Sequence, residues 1–276
     1  MKNKIIINFT PTGMIPTKKD NHHTPVSVSE IIEDVLKCAK LGASMVHLHA
    51  RDENEKPTYK KEIYAELIAG IREQNDEIIL GVSTSGRDFK EFAQRSECIE
   101  LTGNLKPDMA SLTLSSLNFN KQESINSPEM IVKLATKIDE KNIKPELEVF
   151  DSGMINYSKY LISKGIIKPP FYYNILLGNI ACAQATPLSI GLLSSELPQD
   201  SIWCLAGIGN FQLRSNVMGI MFGHGVRIGM EDNFWYDEER TKLATNYELV
   251  KRIVDIAHNL EKDIYSAKEV RSLLNL

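Results

Sequence analysis

Residues 47–49 read His-Leu-His inside the short apolar run Met45-Val46-His47-Leu48-His49-Ala50, which ends on Arg51-Asp52. A run this short, entered from Leu41-Gly42-Ala43, predicts a buried strand. Side chains two apart on a strand share a face, so His47 and His49 point the same way, close enough to hold one metal ion. Burying two imidazoles without partners costs free energy, and the plainer alternative is a pair of core histidines bonded to neighbouring backbone. The second chemical feature is Arg227-Ile228-Gly229-Met230-Glu231-Asp232-Asn233, where two carboxylates follow an apolar run. If the ends of these two runs meet, Glu231 is a third ligand. Two imidazoles and one carboxylate leave positions open for substrate, a composition shared by catalytic zinc and by iron(II). The alternative for Glu231 is a simple ion pair with Arg227.

Such groups meet only if regular elements bring them together. Apolar runs at 5–9, 45–49, 78–83, 109–114, 146–150, 172–177, 202–208 and 226–229 predict eight strands. Helix-periodic segments lie between them, at 29–41, 60–74, 88–99, 128–141, 153–164, 187–196 and 210–222, with another at 245–260. Ser27 with Glu30, and Thr245 with Glu248, have capping-box spacing. The last residues, 265–276, read as a short closing helix or tail. Eight alternating pairs predict a single (β/α)8 TIM barrel over 1–276, and an open doubly wound sheet is the alternative. Barrels house chemistry at the C-terminal strand ends. That rule selects His47 and His49 on strand two, Ser83-Thr84 on strand three and Ser111 on strand four. It also selects Glu146 and Glu148 on one face of strand five, and Glu231-Asp232 after strand eight. Gly207-Ile208-Gly209-Asn210 ends strand seven and opens a helix, a place where N–H groups attract a coenzyme phosphate; a tight turn is the alternative. His224, before strand eight, is on the wrong side for catalysis, and His258 falls on a surface helix.

Composition narrows the function classes. The chain has 276 residues, 32 basic and 36 acidic, for a net charge of −4. With charge this mixed, neither a nucleic-acid groove nor a membrane surface is expected. Cys38, Cys98, Cys182 and Cys204 are scattered without a C-x-x-C pair, against a disulfide scaffold or thiolate zinc site and consistent with a reducing cytoplasm. The N-terminus lacks the pattern of a signal peptide, and no run reaches the roughly 20 apolar residues that span a bilayer.

Six ordered motifs carry a resemblance. They are Val46-His47-Leu48-His49-Ala50-Arg51-Asp52, Lys106-Pro107-Asp108-Met109-Ala110-Ser111-Leu112, Lys144-Pro145-Glu146-Leu147-Glu148-Val149-Phe150-Asp151-Ser152-Gly153, Gly207-Ile208-Gly209, Gly223-His224-Gly225-Val226-Arg227-Ile228-Gly229-Met230-Glu231-Asp232-Asn233 and Thr245-Asn246-Tyr247-Glu248-Leu249-Val250. Together they resemble the β-keto acid cleavage enzyme family almost end to end. The resemblance implies a zinc-dependent TIM barrel, a homo-oligomer and usually a tetramer, acting on small molecules. It implies conversion of a β-keto acid and acetyl-CoA into acetoacetate and a new acyl-CoA. On the matching positions, His47, His49 and Glu231 would bind Zn2+, and Asp232, oriented by Arg227, would be the general base. Ser83 would contact substrate, with Thr84 beside it, and Glu148 would order the site. Ser111 stands where the lysine-fermentation members have threonine.

One position departs from those members. They have a glutamate for the substrate's ammonium tail where this chain has Ile15. The expected substrate is therefore a β-keto acid with a neutral or apolar tail. An anionic tail becomes possible if the loop carrying Lys18, Lys19, His22 and His23 folds inward; otherwise that loop is solvated. Two rival functions stand against this reading. A metal-dependent hydrolase of amidohydrolase type also uses His-x-His in a barrel, but on the first strand and with more histidines on strands five and six. The other is a non-catalytic barrel that binds metal or acyl-CoA.

Overall fold

The computed structural model describes residues 3–276. Eight parallel strands close on themselves: β1 (Lys4–Phe9), β2 (Met45–Leu48), β3 (Ile79–Val82), β4 (Met109–Thr113), β5 (Lys144–Val149), β6 (Phe171–Leu177), β7 (Ser201–Gly207) and β8 (Gly225–Ile228). Each pairs with its sequence neighbour, and β8 pairs with β1 in the register Asn8↔Arg227. The helices α1 (Val28–Leu41), α2 (Lys61–Gln74), α3 (Phe92–Arg95), α4 (Pro128–Glu140), α5 (Ser152–Ser163), α6 (Pro187–Glu196), α7 (Gln212–Phe222) and α8 (Asn246–Asn259) follow the strands in turn. The fold is the expected (β/α)8 barrel, with every strand boundary within two residues of its prediction.

Alternation along the strands sorts the side chains. Val46, Leu48, Leu147, Val149, Tyr173 and Ile175 face outward into the layer between strands and helices. Ile6, Met45, Ile79, Met109, Tyr172 and Cys204 meet in a separate cluster. The closing segment forms α9 (Ala267–Leu274), begun by a Ser266/Glu269 capping box. It inserts Val270 and Leu274 into that cluster, and Arg271 clamps Asp108 at 2.8 and 3.0 Å. One end of the barrel is thus sealed, and the polar inward residues are left for the other.

The predicted helix over 88–99 is a correction. Only Phe92–Arg95 is α-helical, followed by a 3-10 turn at Glu97–Glu100. The cause is Arg95, whose buried guanidinium reaches back to Thr84 O, Ile125 O and Asn126 Oδ1. Satisfying that buried cation holds residues 84–91 as an ordered loop over the strand ends. No described helix is long and apolar enough to cross a membrane.

Candidate active site

His47 Nε2 lies 3.1 Å from His49 Nε2, which is 3.2 Å from Glu231 Oε1. The three candidate ligand atoms all fall within 4.8 Å of one another. Tetrahedral zinc, with bonds of about 2.0–2.1 Å, separates its ligand atoms by roughly 3.3 Å, so the spacing suits one ion. His47 and His49 are buried, and Glu231 Oε2 is buried with no protein partner, an acceptor that a cation would satisfy.

The polypeptide is shaped to bring Glu231 here. Gly13, at φ 68°, packs so closely that a Cβ on it would lie 2.6 Å from Glu231 Cγ. Gly229 lets the chain leave β8 against the Thr10 carbonyl, where a Cβ would clash at 2.0 Å. Asn246 at the start of α8 accepts the Met230 N–H, and Gln212 at the start of α7 donates to Gly229 O. The loop bearing Glu231 and Asp232 is therefore held from two helices.

A residue given no role by the sequence reading fixes His47. Glu146 Oε2 is 2.6 Å from His47 Nδ1, while Glu146 Oε1 accepts from Asn8 at 2.7 Å and from Asn174. With Nδ1 donating to Glu146, the neutral ring would present its Nε2 lone pair to the cluster. Burial alone would lower the His47 pKa, but the charges of Glu146 and Glu231 outweigh it and raise it to about 9. Burial likewise opposes ionisation of Glu146, yet the facing His47 holds it at about 2. The sequence signal was present, since Glu146 and Glu148 alternate on one strand face, but only Glu148 was singled out. Glu146→Gln is expected to weaken metal binding by about 10–100-fold, the effect of losing a partner behind a ligand, measured by competition with a chelator. An unchanged dissociation constant would remove Glu146 from this role.

Arg227 is the hub on the other side. Its guanidinium reaches Glu231 Oε1 at 2.6 Å, Glu148 Oε1 at 3.0 Å and Asp232 Oδ2 at 3.1 Å. Glu231 thus meets both His49 and Arg227, so the two readings of it are compatible. Burial pushes the Asp232 carboxyl up, the Arg227 charge opposes this, the Glu231 charge adds to it, and the result is about 6. Glu148 is further braced by Thr113 Oγ1 at 2.7 Å, a contact sequence alone did not suggest.

The other expected site residues are placed as follows. Ser83 borders a small cavity beside His49 with Met14, Tyr59, Thr84 and Phe89. Ser111 Oγ accepts the Thr84 N–H at 3.0 Å and Thr84 Oγ1 donates to Ser111 O at 2.6 Å, so both hydroxyls brace the ends of β3 and β4. Ile15 is 52% exposed on the loop that Arg51 pins through Gly13 O and Pro16 O. Lys18 pairs with Glu30 at 2.5 Å, and Lys19, His22 and His23 are exposed. In the Gly207–Asn210 turn, the N–H groups of Ile208, Gly209 and Phe211 donate to backbone carbonyls, and Asn210 bonds Glu238 O and Arg240. The amides of Ile208 and Gly209 are thus committed to protein acceptors. His224 accepts the Trp203 N–H, a structural role. A separate cleft by Lys106, Asp108, Lys144 and Leu276 contains none of the clustered groups.

The chain is similar to known proteins over almost its whole length. A family model described as beta-keto acid cleavage enzyme matches residues 4–276. A 3-keto-5-aminohexanoate cleavage enzyme of Fusobacterium nucleatum subsp. nucleatum is 35% identical over 277 residues, 100% of this chain and 99% of that protein. A 3-oxoadipate:acetyl-CoA acetyltransferase of Cupriavidus necator is 32% identical over 282 residues, 100% of this chain and 96% of that protein. Among solved structures, apo ObcA shares the fold at a TM-score of 0.79 with 17% identity, over 92% of this chain and 66% of the ObcA chain. The full-length family match and these relatives together show that the chain belongs to the β-keto acid cleavage enzyme family.

Proposed function

We propose that this protein exchanges the acyl group of a β-keto acid with the acetyl group of acetyl-CoA, yielding acetoacetate and a new acyl-CoA. The observation that carries the reading is the cluster of His47, His49 and Glu231 beside Asp232, with both carboxylates bound to one buried Arg227. Relatives named for β-keto acid cleavage and for acetyl-CoA acetyl transfer support it. His47, His49 and Glu231 would hold zinc, which when bound supplies Lewis acidity to the ketone of the substrate.

Asp232 takes a proton from C2 of the β-keto acid, which frees that carbon to attack the acetyl-CoA thioester and release the CoA thiolate. A carboxyl whose pKa is about 6 is mostly ionised near neutrality, yet basic enough to accept a proton. Arg227 holds the ionised Asp232 in place, and Glu148 with Thr113 fixes Arg227 from behind. Asp232 can return the proton to acetoacetate after the thiolate has taken the original acyl group. Ser83, which lines a cavity with His49, would orient the substrate carboxylate. Ile15 offers no counter-charge to an ammonium tail, so 3-keto-5-aminohexanoate is expected to be a poor substrate.

The test combines metal content with turnover. Protein purified without added metal should carry one zinc ion per chain, and His47→Ala should carry almost none. Acetoacetate should form from β-keto acid and acetyl-CoA only with the zinc-bearing protein. If neither zinc nor acetoacetate is found over a panel of β-keto acids, the reading fails.

A further inference from the structure

Arginines around the chemical end of the barrel are committed, with one exception. Arg227 binds three carboxylates, Arg51 donates to the carbonyls of Gly13, Pro16 and Glu55, and Arg95 donates to Thr84, Ile125 and Asn126. Arg87 is different. It follows Ser83 by four residues in the loop after β3, and its N–H donates to Ser85 Oγ, which places it beside the Ser83 cavity. Its guanidinium carbon lies 3.6 Å from the centroid of the Phe119 ring, and Phe119 packs edge-on against Phe150 just beyond β5. The guanidinium is partly buried, yet among the described residues it has no carboxylate within ion-pair distance and no hydrogen-bond acceptor. Burial lowers its basicity, and the charges of Glu231, Asp88, Glu148 and Asp232 act against that.

A cation stacked on an aromatic face keeps its edge free, and that edge is a fork of N–H donors matched to a carboxylate. The substrate's C1 carboxylate belongs at the cavity beside His49, so an anion at Arg87 must be a second one. On the loop after β1, Lys18 is occupied by Glu30, and Lys19, His22 and His23 are exposed to solvent. We propose that Arg87 is a specificity-determining residue that binds a carboxylate at the distal end of the β-keto acid, making β-keto dicarboxylic acids the preferred substrate class. This rests on the acyl-exchange reading above.

The experiment compares β-keto acids of equal length ending in carboxylate, hydroxyl or methyl, each with acetyl-CoA, on wild type, Arg87→Gln and Arg87→Lys. The carboxylate-ended acid should have the highest kcat/KM in wild type. Losing a charge-assisted pair should raise its KM by about 10–100-fold in Arg87→Gln, with less than about a 3-fold change for the methyl-ended acid and for acetyl-CoA. Arg87→Lys should recover part of the loss. The proposal is overturned if Arg87→Gln raises the acetyl-CoA KM instead, which would assign the anion to a coenzyme phosphate, or if it slows all three acids equally. Calorimetric titration of zinc-loaded protein with unreactive glutarate and butyrate separates this proposal from the reaction itself. Should no acid turn over, the acyl-exchange reading fails. Tighter glutarate binding that disappears in Arg87→Gln would still support the carboxylate site, and equal binding of the two acids in wild type would refute it.

Discussion

Asp232→Asn is expected to lower turnover by on the order of 10²-fold or more while leaving fold and bound metal in place, the loss typical of a missing general base. The substitution is nearly isosteric and the backbone around it is independently held. The Asp232 carbonyl accepts the Gly209 N–H at 2.8 Å, and the neighbouring Met230 N–H is anchored by Asn246. Stability should not fall, because burial and the adjacent Glu231 already oppose ionisation of Asp232. An asparagine keeps an oxygen for Arg227 and removes one of three clustered negative charges. The measurements are acetoacetate formation under saturating substrates, zinc content and a denaturation midpoint. Wild-type turnover with intact zinc would move the base elsewhere, and Glu148, on the opposite side of Arg227, is the next candidate.

How much of this could be read from the chain depends on the range of the interaction. Strand positions came from short apolar runs bounded by breakers, and a period of two placed His47 and His49 on one face. The strand count then placed the ends of β2 and β8 on either side of β1, and that was enough to connect Glu231 with two histidines 182 and more residues away. Contacts that cross the barrel lumen had no such guide. The pairing of His47 with Glu146 spans 99 residues and leaves no periodic trace, so Glu146 was seen only as a carboxylate on the same face as Glu148. Helix three is shorter than its sequence pattern predicts, for a related reason. Its local pattern is helical, but the buried Arg95 finds its acceptors in distant loops and draws the preceding residues out of the helix. The Gly207–Asn210 turn was recognised as a turn, whereas the carbonyls that occupy its amides come from β6 and the Asp232 loop and are invisible locally.

Replacing Arg227 by methionine should be the most damaging single change to the metal-free protein, costing about 3–5 kcal/mol, the usual range for breaking a buried charge network from one side. Methionine fills much of the space of the arginine stem, so the effect is electrostatic rather than a cavity. Glu148, Glu231 and Asp232 would lose their shared cation together. Burial opposes ionisation of Glu231, and at present the Arg227 charge, with smaller help from His49 and His47, holds its carboxyl well below the ordinary range. Without Arg227 burial dominates at Glu231 and Asp232, so the Glu231 carboxyl rises above its unfolded value and that of Asp232, already raised, rises further. A raised carboxyl destabilises the fold at pH above its folded value, and the penalty is relieved as protons bind on lowering the pH. The variant's deficit relative to wild type should therefore be large near about pH 8 and smaller near about pH 5.5, whereas loss of packing alone would give a deficit independent of pH. Urea denaturation of chelator-treated proteins at both pH values measures it. Saturating zinc should return part of the stability to the variant, since a divalent cation between His47, His49 and Glu231 replaces some of the missing positive charge. A deficit below about 1 kcal/mol at both pH values would mean that the three carboxylates do not depend on Arg227 for their burial, and that its main contribution is to orient Asp232 during turnover.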